Sequence, residues 1–137
     1  MTPRQITLIQ NSFATLAHDA ETAGEVFYRQ LFTLAPEVRA LFSDEMTVQQ
    51  IKLIQTLAIV VDSLHRLPEL LPVVRQLARR HVAYGTKEAH YPVVGQALIA
   101  MLRETLGDAL DAETEQAWGQ AYGVLSFEMI HAARKAA

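Results

Sequence analysis

Leu70-Leu71-Pro72-Val73-Val74-Arg75-Gln76-Leu77-Ala78-Arg79-Arg80-His81-Val82-Ala83-Tyr84-Gly85 decides how this chain is read. Leu70, Val74, Leu77, Ala78 and His81 recur at three- and four-residue intervals, the spacing of one helix face. Pro68 and Pro72 mark a start rather than an interior, because a helix interior needs the N–H that proline lacks. Tyr84-Gly85 marks a stop, because glycine tolerates the left-handed backbone that follows a last turn. The run therefore predicts a helix with an imidazole on its inward stripe.

The same period extends in both directions. Ile6, Ile9, Phe13 and Leu16 form a stripe that Thr2 can cap, with Pro3 suited to the first helical position. Val26, Phe27, Leu31 and Leu34 form a second, which stops before Pro36. A short third piece covers Pro36 to Phe42. A fourth runs from about Thr47 to His65 with Leu53, Leu57, Val60, Val61 and Leu64 inward. After Gly85, Pro92 opens a helix bearing Val94, Leu98, Met101 and Leu102 that ends near Gly107. Asp111 can cap the last, which passes through Trp118, Tyr122, Leu125 and Met129. Strand-like alternation, repeats and linkers are missing from the pattern. About seven helices of unequal length predict an irregular all-α domain over residues 1–137, wrapped around something, rather than an up-down bundle.

Composition narrows the function. Half of the 137 residues are apolar, enough for a sizeable core, and six glycines with five prolines are too few for a disordered chain. Twelve Lys and Arg face fifteen Asp and Glu, a net charge of −3, which argues against a nucleic-acid partner. The absence of cysteine excludes disulfides, thiolate metal sites and thiol nucleophiles. Leu57 to Val61, the longest aliphatic run, is far short of a membrane span, and the N-terminus has no secretory pattern. The expectation is a soluble cytoplasmic protein with no membrane partner.

Of five histidines, His18, His65 and His131 fall at helix ends, where exposure is the ordinary reading. His81 lies inward. Taken alone, a hydrogen-bonded core histidine is the favoured reading, since a buried imidazole must satisfy both nitrogens. No second histidine or carboxylate shares its face, so zinc, which needs three or four protein ligands, is unsupported. One imidazole suffices for haem iron, because the porphyrin supplies four nitrogens.

Phe27-Tyr28…Leu31-Phe32…Pro36-Glu37-Val38-Arg39-Ala40-Leu41-Phe42 resembles the second and third helices of bacterial globins. Gln49…Lys52-Leu53 is similar to the start of their distal helix, and the run ending Arg80-His81-Val82-Ala83-Tyr84-Gly85 to their proximal helix. His90-Tyr91-Pro92-Val93-Val94-Gly95 and Ala117-Trp118…Ala121-Tyr122-Gly123 follow in the family's order. The resemblance covers almost the whole chain and extends to bacterial single-domain haemoglobins, the haem domains of flavohaemoglobins, and neuroglobin. It implies a globin fold around haem b (iron protoporphyrin IX), with the short helix between the third and distal helices replaced by a loop. It also implies reversible binding of dioxygen, nitric oxide and carbon monoxide.

Residue by residue, the resemblance makes His81 the proximal iron ligand and Phe42 the aromatic platform on the porphyrin face. Gln49, Tyr28 and Leu53 become the distal residues beside the gas ligand. Without the other matches, Phe42 would be an ordinary core phenylalanine and Gln49 a solvated residue at a helix start. Gln50 competes with Gln49 for the distal place; Gln49 is preferred because Leu53 then lands beside the ligand. Lys52 falls where the family has a basic residue near a haem propionate; Arg80 can also reach a propionate, or equally be a surface arginine at a helix end. Tyr91 matches a tyrosine beside the proximal histidine in some relatives. The glutamate that often accompanies it is Ala133 here, which weakens the expectation of peroxidase chemistry. Leu77, Val94, Leu98, Tyr122 and Leu125 are implied pocket walls, and each would equally serve as core in any helical protein. With no distal histidine, internal ligation of the neuroglobin kind is disfavoured.

Two functions are implied: oxygen binding, transport or buffering, and nitric oxide dioxygenase activity. With no GxGxxG before the end at Ala137, the second is expected to draw electrons from a separate reductase. A gas sensor would need an output domain, which is not encoded here, and a globin that has lost haem is argued against by His81 and Phe42. The chain is expected as a monomer or homodimer.

Overall fold

The computed structural model describes residues 1–136. Six α-helices follow in order: α1 (Pro3–Ala17), α2 (Ala20–Leu34), α3 (Thr47–Asp62), α4 (Leu67–Ala83), α5 (His90–Leu106) and α6 (Ala112–Ala136). A six-residue 3-10 turn, Pro36–Leu41, supplies the seventh helical piece, and shorter 3-10 turns cover Leu64–Arg66 and Gly107–Ala109. Among the described residues there is no strand. Residues 42–46, between the 3-10 turn and α3, are non-helical, as expected of the loop there.

Local chemistry sets the helix ends. Thr2 and Gln5 cap each other reciprocally, and Pro3 opens α1. Asp111 Oδ1 accepts the Thr114 N–H at 2.7 Å ahead of α6. At the end of α4, Gly85 has φ +91°, Thr86 N–H donates to His81 O at 2.9 Å, and Gly85 N–H to Val82 O at 3.0 Å. That pair of bonds is a Schellman closure, which needs the left-handed residue that glycine provides.

Ile9, Val74, Met101 and Leu102 are the most deeply buried large side chains, and burial of each contributes about 1.5–3 kcal/mol. α2 lies most extensively along α5, and α4 along α6. Phe13 packs against Trp118 at a 6.5 Å ring separation, and the indole N–H donates to Ser12 Oγ at 2.8 Å, so the buried polar atom is satisfied. Exposed pairs Arg4–Glu113, Arg29–Glu104 and Arg103–Glu115 tie helix surfaces together and add little stability.

Several details depart from the sequence reading. Pro72 lies inside α4, not at its start. The N–H it lacks would have met the Pro68 carbonyl, so only one bond near the helix start is lost. Leu34 is 45 % exposed, because the chain turns away at Ala35 before the inward face is complete. The fourth helix ends at Asp62, and Leu64–Arg66 tightens into a 3-10 turn. α5 begins at His90, with Pro92 in its first turn.

Candidate functional site

A cavity of about 370 Å³ opens between α2, the Pro36–Leu41 turn, α3, the end of α4 and the start of α5. That volume lies in the range of roughly 300–1,000 Å³ usual for cofactor clefts. Phe27, Leu31, Val38, Phe42, Leu53, Val93 and Val94 make its apolar wall. Tyr28, Gln49, Lys52, His81 and His90 supply its main polar groups.

On the α2 side, Tyr28 is buried within an aromatic cluster. Its ring meets Phe27 edge-on at 4.9 Å, Phe42 at 5.4 Å and Phe32 at 5.9 Å, and Phe32 meets Phe42 at 5.6 Å. Gln49, from the first turns of α3, donates through Nε2 to the Tyr28 hydroxyl at 3.0 Å. Burial pushes the Tyr28 phenol above its ordinary value, and the bond from Gln49 draws it partly back. The hydroxyl oxygen accepts from the amide, so the Tyr28 proton stays available to a further acceptor in the cavity.

The register that brings Gln49 to Tyr28 is set by Gly24. A methyl group at Gly24 would stand 3.0 Å from both Gln50 Cβ and the Gln50 carbonyl. Only a hydrogen there lets α2 and α3 approach this closely, which seats Gln50 against α2 and Gln49 over the cavity. Phe42 is held by its loop. Arg39 donates to the carbonyls of Phe42 (3.4 Å), Ser43 (2.9 Å) and Asp44 (3.4 Å), and its guanidinium lies 5.2 Å from the centre of the Phe32 ring.

His81, in the last turn of α4, is half-buried and borders the cavity. Its Nδ1 is 2.7 Å from the Leu77 carbonyl. A carbonyl only accepts, so Nδ1 carries a proton, and in the neutral ring the lone pair is left on Nε2. Among the described residues, no group of three or more His, Asp or Glu side chains could hold a metal ion. A metal seated against His81 would therefore take most of its ligands from a cofactor. An apolar slot with one lone-pair imidazole and an aromatic platform fits a flat metal macrocycle.

The expected residues divide into two groups. His81, Gln49, Tyr28, Leu53, Phe42, Lys52 and Val94 come together on the cavity wall. Leu77, Arg80, Tyr91, Leu98, Tyr122 and Leu125 lie off it. Leu77 acts instead through its carbonyl, and Arg80 is exposed. Tyr91 and Leu98 are buried in the core. Tyr122 donates from its hydroxyl to the Tyr91 carbonyl at 2.6 Å. Leu125 is half-buried against the core. Sequence reasoning gave no site role to Met46, Val93, Arg39 or His90. His90 had a signal, since it stands four residues before Val94 and so shares its face. A larger, open groove of about 800 Å³ between α4 and α6 is walled by charged side chains such as Arg75, Arg79, Glu128 and Lys135.

Comparison with known proteins identifies the family and the fold. The globin family model matches residues 25–129. The flavohemoprotein of Bacillus subtilis is 30 % identical over 130 residues, which are 93 % of this chain and 33 % of that protein. That of Bordetella parapertussis is 32 % identical over 133 residues, 95 % of this chain and 33 % of the relative. The chain thus spans about a third of the length of these relatives. Among solved structures, a bacterial globin from Campylobacter jejuni superposes with a TM-score of 0.87 at 29 % identity, covering 98 % of this chain and 97 % of the other. A Rhodothermus marinus protein named for nitric oxide dioxygenase activity, engineered as a carbene transferase, superposes with a TM-score of 0.88 at 25 % identity, covering 98 % and 94 %. No helix of the described residues is long and apolar enough to cross a membrane.

Proposed function

As the chain belongs to the globin family, we propose that it holds haem b in the cavity between α2, α3 and α4 and binds dioxygen reversibly there, with nitric oxide and carbon monoxide as further ligands. One observation carries this reading: the lone-pair imidazole of His81 and the Tyr28–Gln49 pair border the same apolar cavity. When bound, haem supplies an iron centre at which diatomic gases coordinate. The chain supplies the rest. His81 offers Nε2, and the Leu77 carbonyl fixes the ring's tautomer and makes it a better donor. Phe42, locked by Arg39, gives the macrocycle an aromatic face to pack on. Tyr28 offers its proton to a ligand that gains negative charge, Gln49 orients the phenol, and Leu53 keeps the surroundings apolar. Lys52 reaches the rim, where a propionate carboxylate would remain in water.

Nitric oxide dioxygenase activity with electrons from a separate reductase is the second reading. The flavohemoprotein relatives and the naming of the Rhodothermus protein favour it. Oxygen storage and turnover use the same pocket, so nitrate production in the presence of a reductase, against oxygen binding alone, separates them. The half-buried Ala133 in α6, where related sites carry a glutamate, speaks for weak peroxidase activity at most.

The first test is an absorption spectrum of purified chain reconstituted with haem. The parent is expected to show a Soret band, and His81→Ala to lose haem at least ten-fold faster. A parent without a Soret band overturns the haem reading, and a His81→Ala variant with an unchanged ferrous spectrum and parental haem retention overturns the ligand assignment.

A further inference from the structure

Two histidines border the cavity, and the backbone gives them opposite tautomers. His81 faces a carbonyl through Nδ1, which in the neutral ring leaves Nε2 without a hydrogen. His90 faces a donor: the Lys87 N–H points at its Nδ1 from 3.0 Å. A backbone N–H only donates, so Nδ1 of His90 must be the acceptor and its hydrogen sits on Nε2. One imidazole is thus built as an electron-pair donor and the other as a hydrogen-bond donor.

His90 is only half-buried, and Lys52 on the facing α3 wall is exposed. Both stand where the cavity meets solvent, the place a carboxylate must occupy to avoid the cost of burial. Other polar groups on the wall are less suited. Ser43 Oγ is spent on the Glu45 carbonyl at 2.8 Å, Gln49 Nε2 is spent on the Tyr28 hydroxyl, and the free proton of Tyr28 lies on a buried side chain, where a carboxylate would lose its water. Thr86 lines the same wall, but its hydroxyl hydrogen rotates freely, whereas the Nε2 hydrogen of His90 is fixed in the ring plane.

We propose that the Nε2–H of His90 binds a propionate carboxylate of haem at the cavity rim, as one of two anchors with Lys52. This rests on the haem reading above. The bond is to a charged acceptor, so its loss should speed haem release about ten-fold.

The test uses the whole chain loaded with haem or with haem dimethyl ester, which has no free carboxylates. Pigment transfer to excess apomyoglobin is followed at the Soret band. His90→Asn keeps an acceptor in the place of Nδ1 and has no donor in the place of Nε2. His90→Gln keeps a donor near Nε2 and gives up the acceptor. For ordinary haem, the Asn variant is expected to lose pigment about ten-fold faster than the parent, and the Gln variant to stay within about three-fold. With the diester, all three should fall within about two-fold of one another. Parental haem loss by the Asn variant overturns the proposal, as does a ten-fold effect that persists with the diester. Fast loss by Gln with parental loss by Asn would assign His90 a turn-capping role and overturn it too. A parent that takes up neither pigment ends the haem reading itself and this inference with it.

Discussion

The phenol of Tyr28 and the amide of Gln49 share one hydrogen bond, and its direction decides which of them serves a ligand. Gln49 donates and Tyr28 accepts, so the proton left over for the cavity belongs to Tyr28. A hydrogen bond to a ligand carrying partial charge contributes about 1.5–3 kcal/mol, roughly ten- to a hundred-fold in dissociation rate. Tyr28→Phe in the haem-loaded protein is therefore expected to speed oxygen loss by that factor, measured by stopped-flow displacement, with carbon monoxide affected less because it polarises less. Gln49→Ala should also speed oxygen loss, through freeing the phenol. The double variant should lose oxygen little faster than Tyr28→Phe alone, because both residues act through one proton. Additive effects, or equal effects on both gases, would show that the two side chains act by bulk instead.

Glycines at helix crossings carry the geometry of the elements. A methyl group at Gly95 would stand 2.8 Å from Tyr122 Cε2, and the ring cannot retreat without straining its bond to the Tyr91 carbonyl. Overpacking of this kind costs about 1–3 kcal/mol, against a gain of about 1 kcal/mol from replacing glycine in a helix. Gly95→Ala should thus lose about 1 kcal/mol net, some 3–4 °C in Tm by thermal denaturation. In a Tyr122→Leu background, with the ring gone, the same change should be neutral or stabilising. Such crossings also mark what the sequence conceals. The Leu70, Val74 and Ala78 stripe, the Gly85 stop and the Asp111 cap are local, and local chemistry shows in the letters. Gly24 against Gln50 joins residues on two helices, and a lone glycine in a helical stretch reads only as a weakness. The same limit explains the site. His81, Phe42 and Gln49 were legible through their matches to a family pattern. Tyr122 and Leu98 carry the same helical spacing and face the core instead, because one-dimensional period does not tell a cavity from an interior. Arg39 was invisible because it acts on carbonyls.

Burial of tyrosines makes the whole molecule sensitive to alkali. The phenols of Tyr28, Tyr91 and Tyr122 are all held above their ordinary value of 10.0, chiefly by burial, and Tyr122 is pushed furthest. They lie on α2, α5 and α6, so the effect belongs to the packed domain rather than to one helix. In the unfolded chain each ionises near pH 10; in the folded chain each holds its proton to a higher pH. The folded state therefore binds more protons above pH 10, and its stability falls as pH rises there, by up to about 1.4 kcal/mol per pH unit for each phenol. Below pH 10 these three groups impose no slope. Urea midpoints at intervals from pH 8 to 11.5 should be level with respect to them at first and then decline. Tyr122→Phe loses the bond to the Tyr91 carbonyl, about 1 kcal/mol, and should start lower at pH 8. It also loses one phenol whose proton the fold retains, so its decline above pH 10 should be shallower. The gap between parent and variant should accordingly narrow with rising pH when both are measured in the same state of haem loading. Parallel curves would mean that the Tyr122 hydroxyl ionises alike in the folded and unfolded chain, and would place it in solvent rather than between α5 and α6.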